Sequence, residues 1–155
     1  MADKKDSPSA LKNIREFGKR TTAKVVRANE EDHRDWLQEA PLYPLLSTHQ
    51  IIHAGIMKAY SPFEIVRTDQ SGTFMLACVE GEGVILVDGS WRKVMAGKAC
   101  LLPPFVANAL KCVGKKPWVF CWVRYLFLCF IVVVVCVVLC VCVFSFCFLV
   151  VVLFV

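Results

Sequence analysis

Val79-Glu-Gly-Glu-Gly83, Asp88-Gly89, Gly97, Leu101-Leu-Pro-Pro104, Asn108-Ala-Leu110 and Trp118-Val-Phe-Cys-Trp-Val-Arg-Tyr125 follow one another in a single stretch of the chain. Short apolar runs there alternate with Gly, Asp-Gly and Pro-Pro punctuation. That is the pattern of β-hairpins closing into a small barrel. Val84–Val87 and Ser90–Val94 are expected to pair across Asp88-Gly89, a favoured two-residue hairpin turn. Pro103-Pro104 should end the Ala99–Leu102 strand, because proline cannot donate to a ladder.

Working outward, Gln50–Met57, Phe63–Arg67, Thr73–Glu80, Asn108–Cys112 and Trp118–Tyr125 also read as strands. About eight strands suit a jelly roll or cupin-like barrel. Upstream, Asn29-Glu-Glu-Asp32 has the residues of a helix start, and that helix should end before Pro41 with Trp36 and Leu37 turned inward. Residues 1–28 read as a basic N-terminal arm. A short amphipathic helix over Ala10–Val26 is weakened by Gly18 and Thr21-Thr22. The expected organisation is this arm, a barrel over residues 29–125 and a tail over residues 126–155. The expected class is mostly β, with short N-terminal helices.

Composition changes abruptly after Tyr125. The chain has 155 residues, and its 57% hydrophobic content is inflated by residues 126–155, which hold no charge, Gly or Pro. All 18 Lys+Arg and 13 Asp+Glu precede that point, and the net charge of +5 does not by itself call for nucleic acid. By hydropathy the tail is long enough to span a membrane. Yet it uses only Val, Phe, Leu, Cys, Ile and one Ser, with none of the Gly, Ala or Thr common in membrane helices. A T- and G-rich nucleotide tract read in a wrong frame translates this way. The frameshift reading is preferred, with a membrane anchor as the alternative.

Of nine cysteines, four (Cys78, Cys100, Cys112, Cys121) lie in apolar strands and the rest in the tail. None forms a Cys-x-x-Cys pair, and the polar start lacks an apolar signal-peptide core. A cytoplasmic body is expected, membrane-associated only through the tail.

Taken in order, Gly81-x-Gly83, Asp88-Gly89, Gly97, Leu101-Leu-Pro-Pro104 and Trp118…Trp122-Val-Arg-Tyr125 resemble the N-terminal ligand-binding domain of AraC-type transcriptional regulators, over roughly residues 51–125. The resemblance implies a cupin-like barrel that binds a small-molecule effector, often a sugar. It also implies a homodimer. The family's helix-turn-helix half has no counterpart in these 155 residues, so direct DNA binding by this chain is not expected.

Cupin enzymes hold a metal through two histidines, a glutamate and a later histidine. Counted from the glycine turns, those positions fall around Arg67–Gln70, on Phe74 and on Asn108. None carries its usual residue, and His33, His49 and His53 lie upstream. No metal, no cofactor and no catalytic residue is expected.

Candidate ligand contacts are Glu80 at its strand end, Asn108 in the histidine position, and Phe120 and Trp122, which share a strand face with Trp118. Arg124 is expected to be structural, paired with a carboxylate such as Glu64. His53 is expected to be a hydrogen-bonded strand histidine outside the site.

Overall fold

The computed structural model describes residues 14–68 and 72–126. Ten strands and two short helices follow in chain order: β1 Ile14–Phe17, β2 Thr22–Arg27, α1 Asp35–Gln38, α2 Leu45–Thr48, β3 Ile51–Ala59, β4 Phe63–Arg67, β5 Thr73–Glu80, β6 Glu82–Val87, β7 Ser90–Met95, β8 Ala99–Leu102, β9 Asn108–Cys112 and β10 Trp118–Tyr125. They form two five-stranded sheets, ordered β1-β4-β9-β6-β7 and β2-β3-β10-β5-β8. Every strand pairing in both sheets is antiparallel.

The core lies between the sheets. Along β10, Trp118, Phe120 and Trp122 are buried while the residues between them are only partly covered, the two-residue period of a strand with one face on a core. Phe63 from the opposite sheet meets Trp118 and Phe120 with ring centroids 6.4 Å and 5.9 Å away. Met57, Leu76, Ile85, Leu102 and Leu110 complete the filling from both sides.

Local geometry explains the hairpins. Asp88 and Gly89 both have positive φ, 52° and 70°, as the turn between β6 and β7 requires. Gly83 lies flat beneath the Trp118 ring, which occupies the space a Cβ would need. The β6 glycine and the β10 tryptophan are thus complementary in shape, and this lets the sheets close at that corner.

Two expectations change upstream. The basic arm drawn over residues 1–28 contains β1 and β2, which pair with β4 and β3, so its boundary at residue 28 falls inside the barrel. Phe17 stacks on Phe63 at 5.4 Å, which ties β1 to the core. The helix expected from Asn29 is only the four residues of α1. Asn29 Oδ1 instead accepts the backbone N–H of Glu31 at 3.1 Å, closing a turn. Leu37 is buried and Trp36 packs against the core, as the sequence suggested. Among the described residues no helix is long and apolar enough to cross a membrane. The tail beyond Leu126 lies outside the described residues.

Candidate functional site

One end of the barrel gathers the polar side chains that face inward. His53 on β3 stands opposite Arg124 on β10, which in turn stands opposite Phe74 on β5. Across the barrel, Arg67 on β4 pairs in register with Asn108 on β9. Strand alternation turns these residues to the interior. The segment before α1 brings Asp32 and Arg34 against them, and α1 itself brings Trp36.

His53 is 1% exposed. Its Nδ1 accepts the indole N–H of Trp122 at 3.0 Å. An indole nitrogen only donates, so Nδ1 is unprotonated and the neutral ring carries its proton on Nε2. That Nε2 has no hydrogen-bond partner among the described residues. Burial, with the nearby charges of Arg34 and Arg124, pulls the His53 pKa down to about 3, so the ring is neutral at physiological pH. The ring packs edge-on against Trp36 at 5.3 Å and against Phe74 at 6.4 Å.

Arg67 lies over the Phe74 ring, 4.6 Å from its centroid, and its Nη1 donates to Asn108 Oδ1 at 3.4 Å. Burial, reinforced by Arg34, Arg124 and Arg15, lowers its pKa to about 9, which leaves it charged at neutral pH. Asn108 is 2% exposed, and its Nδ2 donates to the carbonyl of Val106 at 3.1 Å. Phe74 also stacks on Trp122 at 6.4 Å, so one aromatic wall connects the arginine side to the histidine side.

Over this end sits a charged clasp. The Asp32 carboxylate accepts hydrogen bonds from Arg34 Nε at 2.6 Å and from Arg34 Nη2, and it lies 3.6 Å from Arg124 Nη1. Burial alone would raise the Asp32 carboxyl. The hydrogen bonds and charge of Arg34, helped by Arg124, outweigh that and hold it below the usual carboxylate range. Trp36 is faced by the guanidinium groups of Arg15 and Arg34, at 4.9 Å and 5.1 Å. Beside the clasp, a cleft of about 480 Å³ is lined by Asp32, Arg34, Gln50, Ile51, Ile52 and Arg124, among others.

The residues read from sequence divide accordingly. Asn108, Phe120 and Trp122 are buried in the interior, and Asn108 and Trp122 touch the polar cluster directly. Glu80 is exposed at the far end of β5, opposite Val119 next to a bulge, and is not brought to the others. Arg124 pairs with Asp32. Glu64 faces Lys111 instead, at 3.8 Å, because it alternates to the outer face of its sheet. His53, read as a hydrogen-bonded strand histidine, is one, and it lies at the centre of the polar cluster. Its partner Trp122 is 69 residues away, and no local pattern reports such a pair. Arg15, Asp32 and Arg34 were also missed, since a charge near a turn ordinarily reads as solvated.

The chemistry of the lining does not suit a divalent cation. Such an ion needs three or four N or O donors converging on it. Among the described residues, the positions counted for cupin ligands hold the Arg67 guanidinium, the Phe74 ring and the Asn108 amide, which is already engaged with that guanidinium, while Asp69 and Gln70 of the Arg67–Gln70 span lie outside the described residues. Among the described residues no cluster of three His, Cys, Asp or Glu is arranged for metal. What the lining offers is hydrogen-bond donors on an aromatic wall.

The chain has counterparts of the same architecture among solved structures. It is similar to a predicted oxalate decarboxylase from Thermotoga maritima, with a TM-score of 0.53 and 14% identity over 78% of this chain and 97% of that one. It is similar also to the Cupin_2 domain of an XRE-family transcriptional regulator from Enterobacter cloacae, with a TM-score of 0.51 and 13% identity over 68% of this chain and 95% of that one.

The fold is a cupin barrel.

No protein-family model matches the sequence, and no curated protein matches it. At these identities the likeness concerns the cupin fold alone. It is carried by the paired sheets, while the interior of this cupin barrel is described by its own residues.

Proposed function

We propose that this chain is the effector-sensing barrel of an AraC-type transcription regulator, a binding module and not an enzyme. The observation that carries the reading is the replacement of a metal-binding donor set by Arg67, Phe74 and Asn108, beside a buried His53–Trp122 pair. Such a lining recognises a molecule by hydrogen bonds and aromatic contact and supplies no nucleophile and no paired acid and base. Asn108, Phe120 and Trp122 are the proposed ligand contacts from the sequence, and His53 and Arg67 join them. Glu80 is dropped from the set because it is exposed away from the cluster. The ordered Gly, Pro-Pro and Trp-Val-Arg-Tyr pattern supports the AraC-type assignment. The use of a cupin domain by the Enterobacter cloacae regulator is a precedent for sensing on this fold.

On this reading the barrel is a cytoplasmic sensor whose partner is a small molecule, with homodimerisation as in the resembling family and with DNA read by a separate domain. Two assays on the 155-residue chain test it. Calorimetric titration with a library of sugars and organic acids should find saturable binding. A gel shift with random-sequence duplexes should find no sequence-specific complex. Turnover of a library compound at a rate that survives dialysis against chelator, or a specific DNA complex, would overturn the proposal.

A second reading is favoured by one observation, the uncharged run over residues 126–155. It is a membrane-anchored cupin-like binding module, with the same interior and a different address. Carbonate extraction of membranes separates the two, because an integral protein stays in the pellet.

A further inference from the structure

We infer that the polar end of the barrel binds a small organic carboxylate, its anion held by Arg67 and the Nε2–H of His53 and its apolar body lying on the Phe74 and Trp122 rings. This rests on the reading of the barrel as an effector-binding module and names the chemical class of the effector.

The first support is an unmet donor. His53 is 1% exposed, its Nδ1 is committed to Trp122, and its Nε2–H faces no acceptor among the described residues. A buried donor without a partner costs about 1–3 kcal/mol, so an acceptor that arrives with a ligand recovers that penalty. A core selected only for packing would place a carbon there.

The second support is the state of Arg67. A guanidinium carries five N–H donors in a planar fork. Among the described residues Arg67 uses them on one amide oxygen at 3.4 Å and lies over one phenyl ring; no carboxylate faces it. Phe74 touches both Arg67 and His53, so the two unmet donor groups border the same aromatic surface.

The third support is the balance of charge. Arg15, Arg34 and Arg124 are all close enough to act on Arg67. Among the described residues the acids that act on them are Asp32, already shared by Arg34 and Arg124, and Asp35 beside Arg15. Among these described residues arginines outnumber acids, and an incoming anion would even the balance where a neutral sugar would not. A carboxylate fits better than a phosphate. Its two coplanar oxygens match the guanidinium fork, and the aromatic wall asks for an apolar body that inorganic phosphate lacks.

Isothermal titration calorimetry of the full 155-residue chain tests this with benzoate, cyclohexanecarboxylate, benzamide, inorganic phosphate and L-arabinose. Both acids should bind, and benzamide, which keeps the ring and loses the charge, should bind at least about tenfold more weakly. Arg67→Lys keeps the charge and loses the fork, and His53→Gln keeps a donor of different reach. Each should weaken the acids by about tenfold or more while circular dichroism shows the wild-type fold. If a variant fails to fold, the acid-to-amide ratio of the wild type decides alone. Equal binding of benzoate and benzamide, or binding of phosphate without either acid, would overturn the inference. Binding of arabinose with neither acid would overturn it and leave the effector-binding reading standing. Binding of none of the five would count against both.

Discussion

The indole N–H of Trp122 donates to Nδ1 of His53 at 3.0 Å, joining adjacent strands β10 and β3 inside the barrel. This bond fixes the tautomer of the histidine and thereby leaves a buried Nε2–H without a partner among the described residues. Trp122→Phe keeps an aromatic ring and removes the donor. It should destabilise the chain by about 1–3 kcal/mol in urea unfolding, since Nδ1 is then buried without a partner. A double-mutant cycle with His53→Leu should give a coupling of about 0.5–3 kcal/mol. Additive effects of the two substitutions would show that the bond contributes nothing.

The buried histidine makes stability depend on pH. Its folded pKa is depressed to about 3 from the ordinary 6.5, by burial and by Arg34, Arg124 and Arg67, with only Asp32 opposing. The unfolded chain therefore takes up a proton on His53 below pH 6.5 while the folded chain does not. The contribution is fully present above that pH and is lost as pH falls from about 6.5 towards 3, at up to about 1.4 kcal/mol per pH unit from this one group. Denaturation midpoints measured between pH 7 and pH 4.5 should fall more steeply for the wild type than for His53→Gln. Parallel profiles would show that His53 titrates normally in the fold.

The barrel cysteines should be inert. Burial raises Cys78, Cys112 and Cys121 above the ordinary thiol range and pushes Cys100 up to about 11, so the thiolate is scarce at neutral pH. The indole N–H of Trp118 donates to Cys78 Sγ at 3.2 Å and opposes that rise, and burial outweighs it. Peptide mapping after iodoacetamide at pH 7.5 should find these four residues unmodified in native protein and modified in urea. Rapid native labelling of Cys78 or Cys112 would contradict the packing around Trp118.

Gly83 and Trp118 are matched in shape, because the ring takes the place of a Cβ. Gly83→Ala should cost about 1–3 kcal/mol through overpacking, and Gly83→Ala combined with Trp118→Leu should recover part of that loss. Chemical denaturation of the three proteins checks both statements.

Most of the barrel was legible because its signals are local. Asp88-Gly89 announces a turn by the positive φ it must adopt, and Pro103-Pro104 announces a strand end by the donors it lacks. The spans Phe63–Arg67, Thr73–Glu80, Ala99–Leu102, Asn108–Cys112 and Trp118–Tyr125 follow from such punctuation and from alternation. β1 and β2 were not legible. Leu11, Ile14 and Phe17 recur every three residues like one face of a helix, whereas Ile14–Phe17 and Thr22–Arg27 are strands that pair with β4 and β3, contacts remote in sequence. The candidate site was half legible: alternation put Phe120 and Trp122 on the buried face of β10, and motif counting reached Asn108, which is buried beside Arg67. The cluster around His53 is built from long-range contacts that only the closed barrel creates.

On the proposed reading, this cupin interior recognises a molecule through Arg67, His53 and the aromatic wall and holds no catalytic metal. Elemental analysis of the 155-residue chain, purified after growth with added iron, manganese and zinc and then dialysed, tests that most directly. The account predicts substoichiometric metal that does not change on His53→Gln. Stoichiometric iron, manganese or zinc, lost when His53 is replaced, would contradict it.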